Sequence, residues 1–332
     1  MRRTRTLLTC AASVALLTAG LAPTAATATP GSAGHHVRVL VSGLDGSLGS
    51  TVGPDGALYV AEGLAGRISR VDRRTGRRTT FASGLPKRIF PVGGPMDVAF
   101  IQHTAYVLVS VVSPDVGGRD IDGIYRVDGP HRFTVVADIG AYSVAHPPAT
   151  DFFIPSGVQF AMQPYRGGFL VTDGHHNRVL RVGLDGSITE RIAFADIVPT
   201  GLAVRGKTVF MTEAGPVPHL PENGRVMRFR AGSGPATEVA SGAPLLVDVE
   251  FGRGGALFAL AQGHATPGLP DGSPADPNTG VLERVNRDGT MTPVVTGLNQ
   301  PTSLELVGDT AYVVTLSGDV VVVDHVTRGD RR

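Results

Sequence analysis

A unit of four short strands recurs along residues 37–324, and this repeat constrains the chain more than any other feature. Each unit reads as an apolar strand a, a Gly-rich turn, a strand b ending in small or acidic residues, a loop, a strand c, a polar turn and a strand d. The clearest b–c copy is Phe169-Leu170-Val171-Thr172-Asp173, then Gly174-His175-His176-Asn177, then Arg178-Val179-Leu180-Arg181-Val182. Leu58–Glu62 with Arg67–Asp72 matches it, as does Val209–Glu213 with Gly224–Phe229. Looser copies run through Tyr106–Val109 and Gly123–Asp128, Leu257–Ala261 and Gly280–Val285, and Tyr312–Thr315 and Gly318–Asp324. Strand a precedes each, as in Pro95–Phe100, Pro199–Val204 and Pro301–Leu306. The copies recur about every 45 to 55 residues, which suits four strands per unit.

The chain ends supply an independent check. The sixth copy stops after strand c, while Val37-Arg38-Val39-Leu40-Val41 precedes the first strand a and has no unit of its own. An unpaired edge strand exposes a row of backbone N–H and C=O groups, and adding residues 37–41 to the last sheet removes that edge. The expected fold is therefore all-β: a six-bladed β-propeller of four-stranded antiparallel blades, closed by the N-terminal strand pairing with the last blade. The chain contains no Trp, which excludes the Trp-Asp repeat class. A β-sandwich would leave six copies of one unit unexplained.

Ahead of the repeat lies a targeting pattern. Arg2, Arg3 and Arg5 precede the apolar run Leu7–Leu21, and Ala26-Thr27-Ala28 offers small residues for cleavage. Residues 1–28 read as a signal peptide, 29–36 and 325–332 as disordered flanks, and 37–324 as a single domain. The apolar run is short for a spanning helix, so no membrane span is expected. Cys10 invites a lipoprotein reading, but cleavage there would cut the apolar run in half. It is also the only cysteine, so a processed chain carries no disulfide and no thiol chemistry. Without those three arginines the chain has 27 basic against 29 acidic side chains, which argues against nucleic-acid binding through a basic face. A secreted, extracellular monomer is the expectation.

In a four-stranded blade, strand a starts at the face where strand b ends. That rule maps Glu62, Asp173 and Glu213 (b ends) and Asp97 and Asp248 (a starts) to one mouth of the central channel. Carboxylates from several blades suit Ca²⁺, which takes six to eight oxygen ligands. His175, His176, Asn177, Gln262 and His264 sit on loops of the same mouth and are candidate ligand-binding residues; acids at strand ends and paired loop histidines also commonly serve only local hydrogen bonds. His35 and His36 lie beside no acid in the sequence. The long loops Ser110–Asp122, Ala214–Asn223 and Gln262–Thr279, with an insert between Asp138 and Ile154 carrying Tyr142, His146, Phe152 and Phe153, crowd that face. Loops this long are usually functional or disordered. There is no Gly-x-Ser-x-Gly, no His-Glu-x-x-His and no phosphate loop, so no catalytic residue is assigned.

Leu58-Tyr59-Val60-Ala61-Glu62 and Asp173–Val182 resemble NHL-like propellers. With the leader, the Val37–Gly43 start and the Pro-rich loops, the chain is similar to ScyD/ScyE family proteins over roughly residues 37–324. That resemblance implies an exported propeller and no residue-level mechanism. A second resemblance, to gluconolactonase-like propellers, implies a divalent cation in the channel; Glu62, Asp173 and Glu213 fit by position, and the Asn ligand that family uses is not evident. Two functions stay open: a module that binds a small molecule or an extracytoplasmic protein, and a Ca²⁺-dependent lactonase or esterase.

Overall fold

The computed structural model describes residues 35–230, 233–268 and 273–327. The leader lies outside them. Strands gather into six sheets of four. Blade 1 comprises Ser47–Val52, Leu58–Glu62, Arg67–Val71 and Arg78–Ser83; blade 2 comprises Gly94–Ile101, Thr104–Ser110, Gly123–Gly129 and Arg132–Asp138. Blade 3 is built from Gln159–Tyr165, Gly168–Asp173, Arg178–Gly183 and Ile188–Ala193, and blade 4 from Pro199–Arg205, Thr208–Glu213, Arg225–Arg230 and Ser233–Ser241. Leu246–Phe251, Leu257–Ala261, Gly280–Val285 and Met291–Leu298 form blade 5. Blade 6 takes Pro301–Val307, Thr310–Thr315 and Val320–Asp324 from the C-terminal end and Val37–Val41 from the N-terminal end, with Val37 opposite Val323 and Val39 opposite Val321. The expected closure is present.

The core is six apolar wedges, one between each pair of neighbouring blades. Leu58, Val60 and Val71 of blade 1, for instance, meet Tyr312, Val314 and Val322 of blade 6 across the closing seam. Because b strands are covered on both faces, Leu58–Glu62 and Gly168–Asp173 are buried along their whole length. That explains why they read as short continuous apolar runs rather than alternating ones.

Around the channel, side chains tie blade to blade. Thr200 Oγ1 donates to Leu246 O at 2.8 Å, Thr302 Oγ1 to Leu48 O at 3.0 Å, and Ser50 and Ser303 hydroxyls meet at 2.9 Å. Each innermost strand also shifts register soon after it begins, between Ser47/Ser50, Pro95/Asp97, Gln159/Met162, Pro199/Leu202, Leu246/Asp248 and Pro301/Ser303. Such bulges re-aim side chains. Here they place Gly49, Asp97, Ala161, Gly201, Asp248 and Ser303 at equivalent positions, so Gly-Asp-small occurs once in blades 1–3 and again in blades 4–6.

The glycines are required by the aspartates. A Cβ on Gly49 would lie 2.3 Å from Asp97 Oδ1, and one on Gly201 would lie 2.5 Å from Asp248 Cα. Gly49→Ala is therefore expected to destabilise the fold by about 1–3 kcal/mol through overpacking. Chemical denaturation measures it, and an unchanged midpoint would show the approach to be slack.

The described parts of both flanks bond to blade 6. His36 is not without an acid: its Nδ1 stands 3.6 Å from Asp324 Oδ2, and its carbonyl accepts from Asp324 N. Part of the C-terminal flank is ordered, with Val326 N donating to Asp309 O and Thr327 N to Asp309 Oδ1. In addition, the insert after blade 2 contains a helix, Ile139–Ala145, capped by the Asp138 carboxylate accepting from Ala141 N. Its seven residues are too few to show a helical period in sequence.

Candidate functional site

The five carboxylates assigned to one mouth divide into two sets. Asp97 and Asp248 face the central channel, whereas Glu62, Asp173 and Glu213 are not among the side chains lining it. Glu62, fully buried, accepts from Arg67 Nε at 2.9 Å and Nη2 at 2.7 Å, from Asp45 N at 2.6 Å, and from the Ser69 hydroxyl. Burial would raise its pKa, but these donors outweigh it and hold the carboxyl below the usual range. Asp173 is enclosed the same way, by Val158 N at 3.0 Å, His176 Nδ1 at 3.3 Å and Arg178 Nε at 3.5 Å. His176 and Arg178 overcome its desolvation and depress its pKa. Glu213 faces Arg225 in register, yet burial dominates and pushes its carboxyl up to about 7. An acid at the end of b opposite an Arg at the start of c is thus a device of blades 1, 3 and 4, visible in sequence as Glu62…Arg67, Asp173…Arg178 and Glu213…Arg225.

The loop candidates have local partners too. His175 Nε2 accepts from Phe153 N at 2.9 Å and Ile154 N at 3.0 Å, and burial pushes this imidazole's pKa down. His176 donates through Nε2 to Ile154 O at 3.1 Å. Asn177, at φ +52°, accepts from Ile197 N and Val198 N. Gln262 Oε1 accepts from Ala275 N at 3.0 Å and straps the fifth blade's long loop, on which the His264 side chain stands exposed. The first three residues hold the insert to the rim, with Phe152 edge-on to His176 and Phe153 edge-on to His175.

The channel holds two acids that sequence reasoning missed. Glu250 and Glu305 join Asp97 and Asp248 around a cavity of about 50 Å³, with Ser50, Thr51, Gln163, Thr302 and Ser303 as its other polar lining. The signal was strand alternation: Glu250 lies two residues beyond Asp248, and Glu305 two beyond Ser303, so each pair faces one side. Asp97 accepts from Val98 N and Met162 N, both at 2.8 Å, clamping blade 2 to blade 3. Asp248 likewise accepts from Val249 N at 2.8 Å and Leu304 N at 2.7 Å, clamping blade 5 to blade 6. Burial raises Asp97 well above the ordinary range and Asp248 to about 7; burial and the neighbouring carboxylates likewise raise Glu250 and Glu305 well above theirs.

A resident cation does not fit the proposed ligand set. Among the described residues no three His, Cys, Asp or Glu side chains converge closely enough to hold a metal ion. Glu62 already receives arginine and backbone donors, and Asp173 receives Val158 N and is ion-paired with Arg178, so a cation there would have to displace them.

The outer rim is apolar. Of the thirteen large hydrophobic side chains that stand exposed among the described residues, nine lie on b–c or d–a connections: Leu64, Ile89, Phe90, Ile121, Val144, Phe152, Phe153, Val217 and Leu220. Loops carrying seven of them are joined in sequence around blades 1–3. Arg88 N donates to Gly63 O, the Ile89 side chain abuts Gly118, and Asp115 accepts from Ser156 N.

Fold and channel together define a six-bladed β-propeller whose loops concentrate on one face. No protein-family model matches the sequence, and no curated protein does. Solved structures do match. The chain is similar to virginiamycin B lyase from Staphylococcus aureus, at 15% identity and TM-score 0.54, covering 87% of this chain and 99% of that one. It is similar to a gluconolactonase from Xanthomonas campestris at 12% identity and TM-score 0.60, covering 87% and 89%, and to a chain of a nidogen/laminin complex at 15% and 0.54, covering 78% and 85%. At such identities the shared property is the fold.

Proposed function

We propose that this is an exported binding propeller whose loop-rich face docks a protein partner through the apolar rim of blades 1–4. The observation that carries this reading is the placement of the nine exposed apolar side chains on one face. Water-exposed Phe and Ile at loop tips are costly to leave uncovered, and a clustered set of them marks an interaction surface. The channel cavity, at about 50 Å³, is small, with space for a few waters. Both described ends support the geometry. His36 pairs with Asp324 at the foot of blade 6, and Val326 reaches the Asp309 turn, so both ends of the described chain lie on the face opposite the loops. Export rests on the basic and apolar leader.

The Ca²⁺-dependent lactonase or esterase has less support, because Glu62, Asp173 and His175 are spent on local hydrogen bonds. ScyD/ScyE membership is compatible with the binding role and adds no residue to it.

A photo-crosslinking amino acid placed at position 153, 90 or 220 tests the proposal in the producing cell. One discrete adduct is expected from these three positions and none from position 184, an exposed leucine at a c–d turn on the opposite face. Equal labelling from both faces, or none from the rim, would overturn it.

A further inference from the structure

The face opposite the loops has no part in the rim's docking, and its charge is of the other sign. Over the whole chain 30 Lys and Arg meet 29 Asp and Glu, so composition hides this polarity. The connections of the loop face expose Asp45, Asp115, Asp120, Asp151, Asp196 and Glu222 against Lys87 and Arg119. The opposite face is basic across three neighbouring blades. Arg166 stands on the a–b turn of blade 3, Arg205 and Lys207 at that of blade 4, and Arg253 on that of blade 5, all exposed. Arg230, at the end of blade 4's c strand, and Arg287, on blade 5's c–d turn, extend the patch outward.

Counter-charge is scarce there. Among the described residues no carboxylate pairs with any of these six cations. The acids on the turns of these blades, Asp185 and Asp288, each accept from their own turn, from Ser187 Oγ at 2.6 Å and Thr290 Oγ1 at 2.7 Å. Asp55 and Asp309, on blades 1 and 6, are held by Arg70 at 2.6 Å and His325 at 3.3 Å. Aromatic rings rather than acids support two of the guanidinium groups. Arg166 lies over Tyr165, 5.3 Å from the ring centre, and Arg205 over Phe251 of the next blade, at 5.5 Å. Arg205 reaches that far because Gly255 leaves room: a Cβ there would stand 2.5 Å from its Nη1. Arg205 and Arg253 are thereby brought to one turn, an arrangement that like-charge repulsion opposes until an anion covers it.

We propose that this basic face docks the propeller onto an anionic phospholipid bilayer, with the cations of blades 3–5 set against the lipid phosphates.

A planar anionic surface is the partner these cations fit. They span three blades, and those of blades 3 and 4 stand at turns of two residues, Arg166-Gly167 and Gly206-Lys207, too short to wrap a ligand. The exposed Phe side chains, Phe90, Phe152 and Phe153, are all on the rim, which leaves single-stranded nucleic acid no stacking platform here. Each basic side chain close to an anionic membrane is worth roughly a fivefold change in partition. The acidic loop face is repelled by the same field and so fixes the orientation. A propeller lying this way holds its apolar rim away from the bilayer.

Co-flotation with vesicles tests the docking on the chain from residue 29, which contains every strand of the propeller. Binding is expected to vesicles of equal parts phosphatidylglycerol and phosphatidylcholine, with none to phosphatidylcholine alone, and release is expected as salt is raised. Lys207→Gln/Arg253→Gln should weaken partition about 25-fold. Its thermal midpoint should not move, because both side chains stand exposed and neither is ion-paired among the described residues. Lys87→Gln/Arg119→Gln removes the same charge from the loop face and should leave partition unaltered, since the screened field does not reach that face. No flotation with phosphatidylglycerol, equal flotation with phosphatidylcholine alone, or an equal loss from the loop-face variant would overturn the proposal. Tighter binding to duplex DNA than to the vesicles, at equal phosphate and salt, would overturn it too and make the face a nucleic-acid surface. None of these outcomes bears on crosslinking from the rim, so the two proposals stand or fall separately.

Discussion

Deleting residues 35–41 is expected to destabilise the protein by on the order of 5 kcal/mol, a large share of the 5–15 kcal/mol that holds a typical domain together. The segment is small, but it pairs along its length with Val320–Val323 and contributes Leu40 and Val41 to the wedge against blade 1. Its loss removes a ladder of backbone bonds worth about 1 kcal/mol each and uncovers Val321 and Val323 on an open sheet edge. Opening of the ring should be read as a lowered thermal midpoint together with concentration-dependent association, the expected fate of an exposed edge. Restoring the segment as a free peptide should recover part of the midpoint. An unaltered midpoint and a monomeric species after deletion would mean that the wedges alone close the ring.

Arg178→Met is expected to cost about 3–5 kcal/mol, because it breaks a buried ionic network from one side. Arg178 is 1% exposed; it donates to His146 O at 2.7 Å and Ser143 Oγ at 3.0 Å, and it faces Asp173 and His176. Methionine fills similar volume and leaves Asp173 with its charge only partly compensated. The loss should appear as a thermal midpoint about 10 °C lower, with faster proteolytic cleavage between residues 139 and 154, since Arg178 helps tie the insert's helix to blade 3 through Ser143 and His146. Adding Asp173→Asn should cost far less in the Arg178→Met background than in the wild type, as partners in one network require. Additive losses would show the two side chains to be independent.

Much of this architecture could be read from the linear chain because it is local and periodic. The six copies, the four-strand spacing and the surplus strand at Val37–Val41 need only counting, and the edge-strand argument then closes the ring. The shared face of b ends and a starts follows from antiparallel pairing alone. Reading the acids as one set went beyond what pairing can decide. Strand direction says at which end of a blade a side chain sits, but not whether it points into the channel or sideways into the blade's own c strand. Asp97 and Asp248 turn inward because a bulge re-aims them, while Glu62 and Asp173 turn toward Arg67 and Arg178. His175 and His176 lie on the b–c loop of blade 3, and their partners, Phe153 N and Ile154 O, lie over 20 residues away on an insert whose fold no short pattern announces.

The sequence by itself determined the number of blades, how the chain closes, and which loops crowd one face, because hydrophobic runs and turn residues act over a few positions. Only the tertiary structure decided that four acids from blades 2, 5 and 6 share a channel lined by no Lys, Arg or His, and that the exposed apolar side chains gather on the rim. Both depend on how separate blades are set against one another around the axis, and that arrangement exists only once the wedges between them have packed.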